Sequence, residues 1–513
     1  MASSNPSTST PVSIRLHGPI ALSGNMTIDL AEPLANGAVK IGEGKKGRTM
    51  PLSIWDQSTS RFHVKIVACF QLSNCRRGET EAHLRKSIKQ LSKGRPDLAG
   101  TVHLGERFGW VYHTQHPDYE IQFESRCIAD EFPHTYVQLQ EMGFPAAAFV
   151  HKRYGFAGDI RDYGDVAPVA GIRAYFIDGG LILSINFHHT FGDGELLLDF
   201  LEVLAAATRG NITAKRGSRD LGFTKAYNSN GCSLKSSSFE ELMQQCPEFT
   251  IVNDQSGPNQ PTPLAGGTHE MDYDRDGRIF VFSDDSIKKM KSLVAYHAPA
   301  EAPPSTYTCL ATLLWVFSAK ARCKHEECLP TWNKDDTATM SNPVNWRYRA
   351  FKGQCKDYFG NAVALAQTHV SKKEVLAACS DDATLARLVR KVEAGIQAVD
   401  NKYVRDRIHL IEACPDPRIL GLKIDGRIPQ DLAFNTWRAF GADTEWDLCG
   451  DGDVRKPDTL RRAQPFWNMG GTLIMPARKD STDYEVLLTI PRKAMDEIAM
   501  DEAFLKWATR VIE

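Results

Sequence analysis

The chain has 513 residues, of which 42% are hydrophobic and 24% are charged, and its formal net charge is −2. This is the composition of an ordinary globular protein, and the length exceeds what one hydrophobic core usually supports, so we expect two large subdomains. A nucleic-acid-binding protein needs an excess of Lys and Arg to neutralise phosphates. The near-zero net charge therefore argues against nucleic acid as a partner.

The chain lacks the sequence features of secreted and membrane proteins. Residues 1–12 are small and polar, without the apolar stretch of a cleaved secretion signal. No segment approaches the roughly 18 apolar residues that a membrane span requires. The 12 cysteines form neither Cys-x-x-Cys pairs nor a dense framework, a usage typical of reduced intracellular thiols. We expect a cytoplasmic protein with no membrane contact.

One short cluster raises the question of a metal site. Cys323, His325 and Cys328 lie within six residues of each other. No second Cys/His pair follows at the spacing of a zinc finger. We therefore predict no metal and no permanently bound cofactor.

Hydrophobic periodicity predicts the elements of the first half. Alternating or continuous apolar residues predict strands over His63–Leu72 and Gly180–His188. Helical spacing predicts helices over Thr80–Leu91 and Glu195–Thr208, the second ending before Gly210 as a C-cap. A strand-to-helix junction is thus expected near residue 189.

The second half follows a segment rich in Ser, Asn, Gly, Pro and Thr, which is typical of a long crossover. The predicted elements after it are a strand from Arg278, a helix over Asp284–Tyr296, a helix from Ser305 or Thr306 to about Arg322, a helix over Leu376–Val399 and a strand over Glu485–Ile490. The predicted organisation is an N-terminal subdomain over residues 1–225, a crossover linker over 226–275 and a C-terminal subdomain over 276–513. Strands alternating with helices in two blocks predict an α/β (α+β) fold with two facing subdomains.

The segment that carries chemistry is His-His-Thr-Phe-Gly-Asp-Gly, residues 188–194. A side chain at the end of a buried strand points into a cleft from a rigid base. An imidazole there can hold a pKa near neutrality and accept a proton from a hydroxyl or amine. Adjacent residues of a strand point to opposite faces, so at most one of His188 and His189 faces a cleft. The pattern alone leaves open which one, and it also allows a structural core histidine.

Several segments, in a common order from about residue 50 to 510, resemble the BAHD acyltransferase family. The motif at 188–194 resembles its HxxxDG, and the preceding strand–Gly-Gly–strand run resembles its approach to that motif. The other similar segments are LSIWDQ (52–57), GRPDLAG (94–100), VNWRYR (344–349), YFGN (358–361) and DLCGDGDVRKPDTLRR (447–462). The last has the fungal, trichothecene-acetyltransferase-like form. It departs from the family's DFGWG, because Leu448 and Cys449 replace Phe and the first Gly.

The resemblance implies a fold and roles for the motif residues. The family has two chloramphenicol-acetyltransferase-like subdomains, each a mixed sheet flanked by helices, with a channel at their interface. In this sequence His189 would be the general base, whereas Asp193 and Gly194 would be structural. Asp193 would form an ion pair with Arg347. The co-substrate would be acetyl-CoA or another acyl-CoA, and the acceptor a small molecule of secondary metabolism, bound by a monomer.

Further roles follow from the same resemblance. For the oxyanion and the substrate pocket, the candidates are Asn435, Thr436 and Trp437. For CoA, the candidates are Ser305, Thr306, Arg455, Lys456 and, through the altered loop, Asp447. Each has a simpler reading: Trp437 as core, Ser305 as a helix cap, Arg455 and Lys456 as solvated charges, and Asp447 as a turn carboxylate.

Two other functional classes stay open. A condensation-type protein shares HHxxxDG but takes its acyl group from a carrier protein. A non-acylating cyclase or binding protein could reuse the same cleft. The acceptor, the acyl chain length and the choice between a hydroxyl and an amine nucleophile also stay open at this point.

Overall fold

The computed structural model describes residues 47–156, 165–212, 238–251, 274–325, 336–424, 426–468 and 471–513. The elements of the first half are β1 (Arg48–Pro51), β2 (His63–Gln71), α1 (Arg77–Gly94), β3 (Thr101–Leu104), β4 (Val111–Gln115), β5 (Gln122–Cys127), α2 (Tyr136–Glu141), β6 (Val166–Pro168), β7 (Ala170–Ile177), β8 (Gly180–His188) and α3 (Gly194–Thr208).

The second half supplies the remaining elements. They are α4 (Phe239–Gln245), β9 (Phe249–Ile251), β10 (Arg275–Phe282), α5 (Asp284–His297), α6 (Thr306–Lys324), β11 (Thr337–Asn345), β12 (Val363–Ser371), α7 (Lys372–Ala377), α8 (Asp382–Gln397), α9 (Asn401–Ala413), β13 (Leu420–Leu422), β14 (Leu432–Thr436), β15 (Trp446–Asp447), β16 (Val454–Arg455), β17 (Thr459–Arg462), β18 (Gly471–Ile474), β19 (Tyr484–Pro491), α10 (Arg492–Met500), α11 (Glu502–Leu505) and β20 (Arg510–Ile512).

The sheet of the N-terminal half has the strand order β17-β2-β8-β7-β5. Its pairs are antiparallel except for the parallel pair β5–β7, so the sheet is mixed. Every residue of the central strand β8 is buried. The apolar side chains of one face pack with α1 and α3 in a common core that includes Phe70, Ile185 and Phe200. Burial on both faces explains why the sequence of β8 is almost continuously apolar.

The sheet of the C-terminal half is also mixed, in the order β12-β11-β14-β18-β19-β10-β20. The β11–β14 and β14–β18 pairs are parallel, and the others are antiparallel. The buried helix α6 packs with α5, α8 and α10 over this sheet, around Trp315 and Leu488. The predicted mixed α/β architecture is confirmed.

The two halves share a strand. β17 belongs to the predicted C-terminal subdomain, yet it pairs with β2 at the edge of the N-terminal sheet, with Arg462 opposite Ile66. Within the predicted linker, β9 pairs with β13, and Glu248 bonds Arg407 at 2.6 and 2.7 Å. The described part of the crossover is therefore anchored to the C-terminal half. Residues 226–237 and 252–273 lie outside the described ranges, and the proposed boundaries stay a prediction.

One predicted element is wrong as drawn. The single helix expected over Leu376–Val399 is two helices, because α7 ends at Ala377 and α8 begins at Asp382. The Asp381 side chain accepts hydrogen bonds from the N–H groups of Ala383 and Thr384 at 3.3 and 3.1 Å, which caps the second helix. The other predicted helices and strands match the observed ones to within a few residues.

Candidate active site

His189 directly follows β8 and is held by its backbone. Its N–H donates to the carbonyl of Phe62 at 2.9 Å, which extends the β2–β8 register one residue beyond the strand. The ring is half-buried and meets the exposed ring of Phe62 edge-on, with centroids 6.1 Å apart. Its Nδ1 is buried without a hydrogen-bond partner among the described residues. The backbone of His189 is thus held in place, while its imidazole makes no hydrogen bond to a described residue.

The neighbouring His188 has a different environment. It is fully buried on the opposite face of the sheet, and its ring lies 4.8 Å from that of His63. Burial, followed by the proximity of His188, holds the pKa of His63 well below its usual value. Of the two histidines that the pattern could not separate, only His189 therefore has a partly open ring.

The carboxylate of Asp193 is held by several hydrogen bonds and has a structural role. Its carboxylate accepts a bidentate pair from Arg347 at 2.8 and 3.1 Å, and both side chains are buried. It also caps α3 by accepting from the N–H of Glu195 at 3.1 Å, and it accepts from the N–H of Ala362 at 2.8 Å. Arg347 donates further to the carbonyls of Tyr358 and Gly360. This ion pair joins the two halves, as the resemblance implied.

A second buried clamp holds the histidine loop from the C-terminal half. Oδ1 of Asp56 accepts from the N–H and the Nδ2 of Asn361 at 2.7 and 2.8 Å. The same Nδ2 donates to the carbonyls of His189 and Thr190 at 2.9 and 3.1 Å. Asp56 and Asn361 had no role in the sequence analysis. Their signal lay in the LSIWDQ and YFGN segments, which the sequence analysis quoted only as similarities.

Gly194 is required by a close approach. A Cβ on this residue would lie 2.1 Å from Cζ of Phe440. The Phe440 ring stacks on Trp437 with centroids 5.9 Å apart, and half-buried Trp437 packs against core clusters of both halves. Because Phe440 sits on Gly194, the segment 435–440 lies against the HxxxDG motif.

The other two pocket candidates lie at the end of β14. Asn435 and Thr436 are exposed. Oδ1 of Asn435 accepts from the N–H of Thr436 at 2.7 Å, and Oγ1 of Thr436 accepts from the N–H of Arg438 at 3.2 Å. Both side chains keep a donor, the Nδ2 group and the hydroxyl, that no described residue occupies.

The candidates for CoA contacts are already engaged. Ser305 caps α6, since its hydroxyl accepts from the N–H of Thr308 at 3.0 Å. Thr306 is the first residue of that helix. The Arg455 guanidinium pairs with Asp453, and Nζ of Lys456 lies 2.8 Å from Asp443.

Asp447 shapes its own loop rather than the histidine site. Its carboxylate accepts from the N–H groups of Gly450 and Gly452 at 2.6 and 3.0 Å. Its own N–H donates to Oγ1 of Thr208, the last residue of α3, at 3.1 Å. Asp193 lies at the other end of this 15-residue helix, about 20 Å away at 1.5 Å per residue.

Membrane-spanning helices and metal-ligand clusters are both absent from the described ranges. None of their helices is both long and apolar enough to cross a bilayer. In the same residues, no three His, Cys, Asp or Glu side chains converge as a metal site requires. Cys328, from the short cluster noted in the sequence, lies outside these ranges.

The architecture defines a class of protein: two chloramphenicol-acetyltransferase-like subdomains, with the HxxxDG motif at their junction. The structure matches that of Fusarium sporotrichioides TRI101 complexed with coenzyme A and T-2 at a TM-score of 0.68, with 17% identity over 90% of this chain and 100% of that chain. It matches vinorine synthase at a TM-score of 0.57, with 15% identity over 91% and 95% of the two chains.

The sequence comparisons identify the family. A sequence model of the Transferase family matches residues 168–505. The relatives include the acyltransferase easC of Emericella nidulans, 22% identical over 94% of this chain and 97% of that protein. They also include the trichothecene 8-O-acetyltransferase of Fusarium sporotrichioides, 21% identical over 90% of this chain and 98% of that protein. The chain belongs to the Transferase family, as a BAHD-type acyltransferase of the fungal, trichothecene-acetyltransferase-like branch.

Proposed function

We propose that His189 is the general base with which this CoA-dependent acyltransferase transfers an acetyl group to a hydroxyl of a secondary metabolite. The observation that carries the proposal is the state of the His189 ring, which is partly open and lacks any hydrogen-bond partner among the described residues. Two buried clamps from the other half fix its backbone and its helix. A half-open imidazole on a backbone that is held in place can meet the proton of an acceptor hydroxyl, as general base catalysis requires.

The reaction needs no covalent acyl-enzyme. His189 takes the proton of the acceptor hydroxyl, and the oxygen attacks the carbonyl carbon of the thioester. When the resulting tetrahedral intermediate collapses, the carbon–sulfur bond breaks and the imidazolium gives its proton to the departing thiolate. Base catalysis of this kind contributes on the order of 10²–10⁴-fold, and the joint binding of both substrates contributes the rest. An amine acceptor would react in the same way.

Asn435 or Thr436 supplies the oxyanion donor in this proposal. Each side chain keeps a free donor at the end of β14, on the segment that packs against Gly194 through Phe440. A donor aimed at the developing negative charge of the intermediate lowers the barrier without reorganisation. Trp437 lines the same pocket, in a channel between the two halves through which CoA and the acceptor reach His189.

The remaining assignments stay within the proposal. Ser305, Thr306, Arg455, Lys456 and Asp447 are candidate CoA contacts. A CoA phosphate at Arg455 or Lys456 would have to compete with Asp453 or Asp443. We also expect a monomer that acts in the cytoplasm without nucleic acid, membrane, metal or bound cofactor.

Incubating the protein with acetyl-CoA and a metabolite extract tests this function. We expect release of free CoA thiol together with a product that is heavier by one acetyl group in mass spectrometry. Turnover with a carrier-bound thioester but not with free acetyl-CoA would favour a condensation-type protein. A product formed without any thiol release would favour the non-acylating class.

A further inference from the structure

Arg462 is a cation that the sequence analysis left unassigned. It ends β17, the strand that the C-terminal half adds to the N-terminal sheet, and it pairs in register with Ile66 of β2. Ile66 pairs in turn with Ile185 of β8. Directly opposed residues share a face of a sheet, and so do residues separated by an even number of positions on one strand. Arg462 therefore rises from the same face as His189.

The guanidinium of Arg462 is desolvated by burial, and no described residue pairs with it. Burial alone lowers its pKa to about 10, whereas the residue keeps part of its surface open to solvent. It makes no hydrogen bond or ion pair with any described residue. Its neighbour Arg461, on the opposite face, is fully engaged with the carbonyls of Gly143 and Phe144 and with Glu485. A cation that is partly buried, partly open to solvent and without a partner in the described part of the chain is suited to an anionic ligand.

The distance between Arg462 and His189 indicates which anion could bind Arg462 during acyl transfer: a carboxylate on the acyl group or a phosphate of CoA. Across the sheet, β17 and β8 are two strand spacings apart, with β2 between them. Along β2, Arg462 lies opposite Ile66 and His189 lies opposite Phe62, four positions away. With about 4.8 Å per strand and about 3.4 Å per residue, their Cα atoms lie about 17 Å apart. Because side chains stand roughly perpendicular to a sheet, two side chains on one face stay about as far apart as their Cα atoms. The few bonds between the carboxylate of a short acyl chain and the thioester are shorter than this separation.

The pantetheine arm of CoA does span it. About thirteen bonds separate the thiol sulfur of CoA from its first phosphorus. A peptide chain has three backbone bonds per residue, so thirteen bonds correspond to just over four residues, which extend to about 15 Å. We propose that Arg462 binds the diphosphate of CoA while the thioester lies at His189. The assignment rests on the proposed function of His189, and it differs from the predicted contacts at Arg455 and Lys456, which already have carboxylate partners.

Calorimetric titration of the full chain with CoA, dephospho-CoA and pantetheine tests the assignment. We expect Arg462→Gln to weaken CoA and dephospho-CoA about tenfold or more, because a charge-assisted contact to phosphate is lost. Pantetheine, which has no phosphate, should bind the variant and the natural protein equally. The control Arg510→Gln removes an exposed arginine on β20 and should leave all three affinities unchanged.

Each other outcome overturns the assignment in a recognisable way. Unchanged CoA affinity in Arg462→Gln, with an unchanged unfolding midpoint, would remove Arg462 from the CoA site. A parallel loss for pantetheine would make it a residue that shapes the cleft, and a loss for CoA but not for dephospho-CoA would place the 3′-phosphate there instead. If Arg462→Gln fails to fold, Arg462→Lys, which keeps the charge, should bind CoA better than Arg462→Met in the same titration, and equal affinities would count against the assignment. Failure of the natural protein to bind CoA at all would contradict the proposed function itself.

Discussion

Two segments that resemble family motifs lie at opposite ends of helix α3. Residues 188–194 lead into the helix, and residues 447–456 contact its last residue, Thr208. The two segments are held in place in different ways. At the start of α3, the loop 188–194 is fixed by hydrogen bonds of the buried residues Asp193, Arg347 and Asn361. These hydrogen bonds join the N-terminal half to the C-terminal half. At the end of α3, the loop 447–456 is fixed by its own backbone around Asp447 and by surface charge pairs such as Lys456–Asp443.

The difference matches how closely each segment follows the family pattern. The first keeps its His, Asp and Gly, and the Asp and the Gly have partners that a substitution would leave unpaired or displaced. The second has lost Phe and Gly at positions 448 and 449, and its exposed pairs are screened by water. We infer that buried, hydrogen-bonded charge constrains the first segment, whereas the second tolerates change.

Removing Asp193 should give the largest loss of stability. Asp193→Ala removes the bidentate partner of buried Arg347 and leaves it only the longer contact with the partly exposed Glu195 at 3.5 Å. Breaking a buried ion pair costs about 3–5 kcal/mol, and the substitution also removes the cap of α3. We expect a sharp fall in the free energy of unfolding measured by denaturant titration, or loss of soluble protein. The double variant Asp193→Ala/Arg347→Leu should be less destabilised than the sum of its single variants. Additive losses would show that the two residues do not act as a pair.

Removing Asn361 should cost somewhat less. Asn361→Ala deprives Asp56 of one donor and frees the carbonyls of His189 and Thr190, for about 2–3 kcal/mol in the same titration. Asn361→Asp should be worse than Asn361→Ala, because it sets a second carboxylate against buried Asp56. Equal stability of the two variants would count against the clamp.

A methyl group at Gly194 should cost about 1–3 kcal/mol, as overpacking generally does. The added Cβ would lie 2.1 Å from the Phe440 ring. Phe440, which stacks on Trp437, therefore has to move, and activity should fall with stability. Gly78 in α1 is the matched control, since nothing lies within 4 Å of an added Cβ there. Gly78→Ala should leave stability unchanged or raise it slightly. A neutral Gly194→Ala would contradict the close approach.

The surface pair of the second loop should matter least. Lys456 and Asp443 are 39% and 30% exposed, so Lys456→Gln should change the free energy of unfolding by less than about 1 kcal/mol. If Lys456→Gln lowered the free energy of unfolding as much as Asp193→Ala, the second segment would be held as strongly as the first, which would contradict the comparison.

The sequence predicted most elements because periodicity and caps determine them locally. The boundaries of β8 and the start of α6 at Thr306 matched, since a buried strand and a Ser cap leave a strong local signal. The break at Asp381 was missed because residues 376–399 keep helical spacing on both sides of it. Only the short capping side chain interrupts the pattern.

Contacts between distant residues could not be predicted from residue type alone. The Asp193–Arg347 pair came from the family resemblance and not from spacing. Two further contacts join residues about 250–300 positions apart, which no local pattern relates. They are the hydrogen bonds between Asp56 and Asn361 and the packing of Phe440 against Gly194. The pairing of Lys456 with Asp443, 13 positions away, was open for the same reason. Arg455 pairs with Asp453, only two positions away.

The most direct test of the central claim is the rate of thiol release from acetyl-CoA by His189→Ala, measured with an acceptor that the natural protein acetylates and with unfolding followed in the same sample. We expect a loss on the order of 10²–10⁴-fold with an unchanged unfolding transition, since the ring makes no hydrogen bond to any described residue. His188→Ala should instead lose stability, because that ring is packed in the interior. A folded His189→Ala protein that acylates at the natural rate would contradict the account.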